Sequence, residues 1–350
     1  MVAILIDPKY AKSLWCKNLC HSLTEQLRRR RIPFCEIRDS VPDEYEVVFM
    51  IASDYQWIES AIHRLNLAGI QPILLCNQPG HFPGRLYSCV HLNIDAGMRS
   101  LLNRLRHTRK RRPTIYGVNP HSVSDLNLVE SLLAWRGEEF APMRVFVNDG
   151  SLKRCFEDFY PCVGDFDSVI CTNDFAAVSL IRNLREKTGR PLRDIGIVSC
   201  IKSEISEYYR QDIVSLSFDF EQFGRAAVYV YDSIRKHPYV SNLSVGVNWG
   251  TEEMVRHTAR LDFSESTDAF YQDPELQEML IVDKLLKASD ETDRQIVNDL
   301  LDGCSYESIT ERRFLAEGTI KYRLKKMFAA CGTNSREELL RLTRKYIGRI

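Results

Sequence analysis

Ser168-Val-Ile-Cys-Thr-Asn-Asp-Phe-Ala-Ala-Val-Ser-Leu-Ile-Arg-Asn-Leu-Arg-Glu-Lys-Thr-Gly189 is the stretch on which the reading of this 350-residue chain turns. A short apolar run, Ser168–Thr172, meets two polar residues, Asn173 and Asp174, and then a helical stretch over Phe175–Lys187. Period alone does not separate so short a run from buried helix, but the same unit recurs around it. Strands are predicted at Val2–Ile6, Phe34–Ile37, Tyr45–Ile51, Pro72–Cys76, Leu86–Leu92, Thr114–Val118, Arg144–Val147 and Ile195–Cys200. Helices are predicted between them at Lys12–Arg30, Gln56–Ala68, Ser124–Trp135 and Leu152–Phe159. Strand and helix alternating at this spacing imply parallel sheets covered by helices.

Such sheets bind ligands beyond the carboxyl ends of their strands. The polar residues at those ends include Asp7, Ser53, Asp54, Asn119, Asn173 and Asp174, and each is equally suited to cap the helix that follows. No G-x-G-x-x-G or G-x-x-x-x-G-K-[ST] fingerprint occurs, and no Ser-His-Asp or H-E-x-x-H arrangement can be read. Apolar residues make up 44% of the chain, ample for two or three domains. The 47 basic and 47 acidic residues balance overall, but Cys304–Ile350 holds eleven Lys/Arg against five Asp/Glu. Such asymmetry is expected when a basic module is joined to a neutral or acidic one. The opening Met1-Val-Ala-Ile-Leu-Ile-Asp7 lacks the basic start of a secretory signal. No apolar run approaches the roughly 18 residues of a membrane span. Eleven scattered cysteines without a C-x-x-C pair suit free thiols in a reducing cytoplasm.

The 168–189 stretch, its sequel Pro191-Leu-Arg-Asp-Ile-Gly-Ile-Val-Ser199, and Ile213-Val-Ser-Leu-Ser-Phe-Asp-Phe-Glu-Gln-Phe-Gly-Arg-Ala-Ala227 resemble the LacI-type regulators. The shared features are a strand ending in Asn-Asp, a helix bearing Arg-x-Leu, a turn from Gly to Pro, and a strand opened by Asp-Ile. The likeness covers roughly residues 1–265 and is nearest to the sensor of the xylose-regulator branch, where a DNA-binding module follows the sensor. It implies an α/β two-lobed, periplasmic-binding-protein-like sensor with a ligand in its cleft. Lobe 1 would span about 1–94 and 218–250, and lobe 2 about 95–217 and 251–265. Candidate ligand-binding residues are then Lys9, Tyr10, Trp15, Asp54, Asn127, Asn173 and Lys202. Two departures weigh against a sugar: Asn127 stands where sugar-binding members carry Arg, and Ile201 where they carry a strand-end Asp. Lys9 and Lys202 would suit an anionic ligand, and Trp15 reads equally as helix core.

Residues 266–289 read as a helical connector, with Leu276, Met279, Leu280, Leu285 and Leu286 apolar along Glu275–Ala288. Beyond it, Ile296, Val297, Leu300 and Leu301 form a stripe stopped by Gly303, and Ser305 can cap a short helix that buries Ile309. Over Gly318–Phe328, Ile320, Leu324, Met327 and Phe328 share one face, leaving Lys321, Tyr322 and Lys325 turned away. Gly332 ends that helix, and Ser335-Arg-Glu-Glu338 is a capping box for a fourth. A basic face beside an apolar one is ordinarily just a solvated face. The spacing adds something: Gly303-x-Ser305-x-x-x-Ile309, Thr319-Ile-Lys321 and Gly332-x-x-Ser335-Arg336 resemble the LuxR-type (GerE-like) helix-turn-helix. That resemblance implies an all-α four-helix module over 290–350, its third helix in the major groove and its fourth helping to dimerise. The family's DNA contacts fall on Lys321, Tyr322 and Lys325, with Thr319 and Arg323 near phosphates. This chain departs from the pattern at Ala316, usually a Ser, at Arg313, usually a core Leu, and at Thr310, usually an Ala. A second basic cluster, Arg104–Arg112, reads as the end of a sensor helix, where cations suit the helix dipole.

These readings converge on a cytoplasmic, ligand-responsive, DNA-binding transcription regulator without catalytic activity, cofactor or metal. Its partners would be double-stranded DNA, a small-molecule effector such as a sugar or sugar derivative, and a second copy of itself. The alternative is a DNA-binding regulator whose sensor has degenerated and serves dimerisation or protein docking.

Overall fold

Each predicted strand and helix up to residue 200 is present, shifted by at most two residues at its ends. In chain order the elements are β1 (Val2–Ile6), α1 (Leu14–Arg29), β2 (Phe34–Ile37), β3 (Val47–Ile51), α2 (Tyr55–Leu67), β4 (Gln71–Cys76), β5 (Ser88–Leu92), α3 (Ile94–His107), β6 (Pro113–Val118), α4 (Val123–Trp135), β7 (Val145–Val147) and α5 (Leu152–Phe159). Then come β8 (Ser168–Cys171), α6 (Asp174–Thr188), β9 (Gly196–Ser199), β10 (Ile213–Phe218), α7 (Phe220–Lys236), β11 (Ser244–Val247), β12 (Trp249–Thr251) and five helices: α8 (Pro274–Ala288), α9 (Glu291–Leu301), α10 (Tyr306–Arg313), α11 (Glu317–Cys331) and α12 (Arg336–Tyr346). This computed structural model describes residues 1–8, 11, 14–37, 45–76, 80, 82–188, 195–200, 203–237, 242–251, 272–333 and 335–350.

The chain forms two compact units. The first comprises Met1–Arg111, Ser122–Phe140 and Leu216–Ser266; the second comprises Arg112–His121, Ala141–Ser215 and Thr267–Ile350. In the first, the sheet order is β11-β5-β4-β3-β1-β2 with every pair parallel. In the second, the order β10-β9-β8-β6-β7 is likewise all parallel. β12 pairs antiparallel with residues 216–218 of β10. β3 and β6 are buried at every position, as strands covered by helices on both faces must be. Both sheets are wound the same way. The second strand of each flanks the first on one side and the third flanks it on the other, so the winding reverses between β1 and β3 and again between β6 and β8. Such switch points are where doubly wound sheets place ligands.

Two glycines let elements approach closely. A Cβ at Gly224 on α7 would lie 2.5 Å from the Ser22 carbonyl oxygen of α1. With glycine there, the Ser22 hydroxyl donates to the Phe220 carbonyl at 2.6 Å and accepts from the Gly224 N–H at 3.2 Å. Gly117 sits at φ +78 in β6, where the register against β7 shifts, and a Cβ there would meet Ala176 of α6 at 2.5 Å. All eleven cysteines are free thiols. Among the described residues no helix is long and apolar enough to cross a membrane, and no group of His, Cys, Asp or Glu could hold a metal ion.

After β12 the described chain is entirely helical. Leu285 of α8 shares one core with Ile296, Val297 and Leu300 of α9, Ile309 of α10, and Ile320, Leu324 and Met327 of α11. The predicted punctuation is in place: Ser305 and Ser335 cap α10 and α12, and Gly332 ends α11 in the left-handed region at φ +72. The Ser335 box closes on one side only. Its hydroxyl accepts from the Glu338 N–H, while the Glu338 carboxylate turns to the Thr333 hydroxyl. Ala316 occupies the N-cap of α11 and supplies no side-chain acceptor. Ala316→Ser should therefore raise the stability of these helices by about 1 kcal/mol in thermal or denaturant unfolding; an unchanged or lower stability would overturn that register.

Candidate functional site

Two strand-end residues of the α/β units, Asp54 and Asn173, are engaged as caps. Asp54, after β3 in the first unit, accepts the N–H groups of Gln56 and Trp57 through Oδ1 at 3.0 and 3.1 Å. Asn173, after β8 in the second, accepts the Ala176 N–H at 3.0 Å and turns its amide to the Thr172 hydroxyl at 3.3 Å. Both stand at switch points, so a ligand there would meet side chains already oriented by the backbone. Trp15 on α1 and Asn127 on α4, both in the first unit, are half-buried; among the described residues the Trp15 indole N–H has no hydrogen-bond partner, and the Asn127 side chain lies beside the Tyr55 hydroxyl. Lys9, Tyr10 and Lys202 lie outside the described residues.

One strand-end residue escaped the sequence reading. Asn148, after β7, is fully buried; its Oδ1 accepts the Gly150 N–H at 3.1 Å, and among the described residues its amide nitrogen has no partner. With Asn119 after β6 and Asn173 after β8 it completes a row of buried asparagines at the ends of three adjacent strands. Its signal was available in Val147-Asn148-Asp149-Gly150, a strand followed by turn residues.

Asp174 is buried behind this row. Its carboxylate accepts from the Ser203 N–H at 2.7 Å, the Ser203 hydroxyl at 3.2 Å and the Ser215 hydroxyl at 3.3 Å. Burial nevertheless prevails over those donors and pushes its pKa up from 3.8 to about 6. A carboxyl whose folded pKa exceeds its unfolded value favours the fold while protonated. That contribution is complete below about pH 3.8 and is lost as the pH climbs through about 6. Unfolding of the full chain over this range should show the decline, and Asp174→Asn should remove it; an identical pH profile in the variant would contradict the assignment.

The helical region is fastened onto the second unit. Asp283 of α8 accepts the Ile205 N–H at 3.0 Å and pairs with Lys287 at 2.9 Å, while the Asp273 carboxylate accepts the Leu152 N–H. Arg182 of α6 pairs with Glu275 of α8 at 3.3 Å and lies 4.4 Å from the centre of the Tyr346 ring. The Tyr209 hydroxyl donates to the Tyr346 carbonyl.

On α11 the apolar stripe of Ile320, Leu324 and Met327 is buried, and Thr319, Lys321, Tyr322 and Lys325 are exposed, Tyr322 by 70%. Lys321 meets Glu317 one turn earlier, at 2.6 Å. Arg323, expected near phosphate, instead donates to Asp290 at 2.9 Å and Asp293 at 2.8 Å, fixing α11 to the capping box that starts α9. Arg313, standing where a core leucine is usual, forms a two-pronged pair with the buried Asp299 at 2.7 and 3.0 Å, and Arg312 joins it at 2.9 Å. The exposed residues of α12 are Arg336, Glu337, Glu338, Arg341, Arg344 and Lys345, with Leu340 half-buried.

No family model and no curated protein sequence matches the chain. Solved structures do. A cellobiose complex of the transcriptional regulator CelR matches over 71% of this chain and 82% of its own, with a TM-score of 0.54 at 14% identity. A ribose-bound LacI family transcriptional regulator from Enterococcus faecium matches over 72% of this chain and 97% of its own, with a TM-score of 0.52 at 13% identity. A ribose-bound LacI family regulator from Enterococcus faecalis V583 gives 72% and 96%, with a TM-score of 0.52 at 12% identity. At such identities the likeness is one of fold. The chain is a two-lobed α/β protein of the architecture found in LacI-family sensors, continued by an all-helical region.

Proposed function

We propose that this protein is a ligand-responsive, DNA-binding transcription regulator, with residues 1–265 sensing, 266–289 connecting and 290–350 binding DNA. The observation that supports DNA binding is the division of labour on α11. One face is locked into the core, and the opposite face presents Lys321, Tyr322 and Lys325 to solvent. A helix held this way suits the major groove, where side chains reach base edges. The sensor reading is supported by the shared fold and by the polar strand ends, with a sugar, a sugar derivative or an anionic relative as ligand. Double-stranded DNA would be the macromolecular partner, and the work of the protein would need no catalytic group or cofactor.

Selection of bound duplexes from a random library tests the DNA half; recovery of no preferred sequence and no duplex binding at low salt would refute it. A thermal-shift screen with sugars, sugar phosphates and nucleosides tests the sensor half. A ligand at 100 times its Kd should add about 2.7 kcal/mol. The second reading, a sensor degenerated to dimerisation or docking, is favoured by Asp54 and Asn173 already serving as caps, and a silent screen would decide for it. We further propose a homodimer, since dimers gain affinity by engaging two half-sites. The fourth helix and the sensor lobes both offer surfaces for it. Sedimentation at micromolar concentration should show a dimer; monomer alone, with and without DNA, would rule it out.

A further inference from the structure

The cations of α10, α11, α12 and the C-terminus divide into two groups. Asp299 takes Arg312 and Arg313, Asp290 and Asp293 take Arg323, Glu278 takes Arg341 and Lys345, and Asp302 takes Arg349. Arg344 donates to the Leu301 carbonyl at 2.8 Å. Among the described residues, no carboxylate pairs with Lys325, Lys326 or Arg336, and Lys321 meets only the exposed Glu317. Lys321, Lys325 and Lys326 lie on α11. Arg336 is the first residue of α12, five residues past the end of α11, yet it is brought to the same place.

The agent is Tyr306, the first residue of α10. Its ring is half-buried against the helical core, and Arg336 stacks on it with the guanidinium carbon 5.2 Å from the ring centre. The Lys321 ammonium lies 5.9 Å from the same centre. One anchored aromatic ring thus holds two exposed cations from different helices, a geometry in which each attracts the ring and repels the other. The starts of α10 and α12, capped by Ser305 and Ser335, add the positive ends of two helix dipoles.

We propose that Arg336, seated on Tyr306, grips a backbone phosphate of the same duplex that α11 reads, with Tyr306 as its positioning residue. This rests on the DNA-binding reading and adds to it a flank outside the third helix, which sets the height of α11 in the groove. Phosphate contacts register a protein on DNA and carry its salt dependence.

The test is binding of the full chain to a random-sequence duplex over a salt series, with circular dichroism as the folding control. Each phosphate contact contributes about 0.9 to the slope of log affinity against log salt. Arg336→Ala should lower the slope by that amount. Between about 50 and 200 mM salt its affinity should fall about 3.5-fold less than that of the wild type. Tyr306→Leu should reproduce the reduced slope, whereas Tyr306→Phe, which keeps the ring, should retain the wild-type slope. An unchanged slope in Arg336→Ala, with wild-type binding intact, overturns this inference alone. A wild type that binds no duplex at low salt overturns the DNA reading and this inference with it.

Discussion

Asp299→Ala should destabilise the C-terminal helices by about 1.5–3 kcal/mol, the worth of a charge-assisted hydrogen bond at a partly buried pair. Asp299 is 1% exposed, and its carboxylate meets Arg313 through both oxygens and Arg312 through one. Arg313 donates first and foremost, and holds the Asp299 pKa below its ordinary value of 3.8. Removing the carboxylate leaves the half-buried Arg313 guanidinium its hydrogen bond to Gln295 and no direct carboxylate contact among the described residues. Because five helices share the core that this pair borders, the loss should appear as an early unfolding transition of the C-terminal helices in calorimetry. Asp299→Leu combined with Arg313→Leu should recover most of it, since apolar residues of similar volume often replace a buried pair without loss. A melting profile of Asp299→Ala indistinguishable from wild type would show that the pair is not part of the structural core. The pair also explains a departure seen in the sequence: arginine occupies a usual leucine position because a carboxylate waits opposite it.

That explanation was not legible beforehand, and the reason is physical. Helical period places Arg313 and Arg323 at the edge of their apolar stripes from local sequence alone. It says nothing of Asp299, Asp290 and Asp293, which lie 14 to 33 residues away and meet those arginines only through tertiary packing. Arg323 was accordingly read as a phosphate contact. The alternation of strand and helix was legible because β1, β3, β6 and β8 are nearly continuous apolar runs bounded by polar strand ends. β11 and β12 were not, being short and, in Ser244-Val-Gly-Val247, partly exposed, with little pattern to read. Of α3 only the basic end at Arg104–His107 was legible; its start was not, since Gly97 in its first turns is a poor position by propensity, held because a Cβ there would press on Trp249 at 3.3 Å. At the candidate sensor site the residue types were legible, but whether Asp54 and Asn173 cap or bind was not. The structure shows capping, and an amide or carboxylate can do both.

Lys321→Ala should cost about 1–3 kcal/mol of discrimination between a selected duplex and a random one, as the loss of a base-edge contact does. Lys321 and Lys325 lie one turn apart on the open face of α11, with Tyr322 beside them, clear of Ile320, Leu324 and Met327. The fold should be untouched, since Lys321 is exposed and, among the described residues, meets Glu317 and the Tyr306 ring. Glu317 sharpens the expectation. It holds the Lys321 ammonium at 2.6 Å in the free protein, so binding must exchange a carboxylate for a base or a phosphate. Glu317→Gln should then tighten binding to every duplex while leaving the preference among sequences unchanged. Arg323→Ala should behave oppositely to both. Its guanidinium ties α11 to Asp290 and the fully buried Asp293, so stability should fall while the salt slope stays as it was. Duplex binding across a salt series, set beside thermal unfolding of each variant, separates the three residues. If folded Lys321→Ala prefers the selected duplex as strongly as the wild type does, the exposed face of α11 is not the surface that reads sequence.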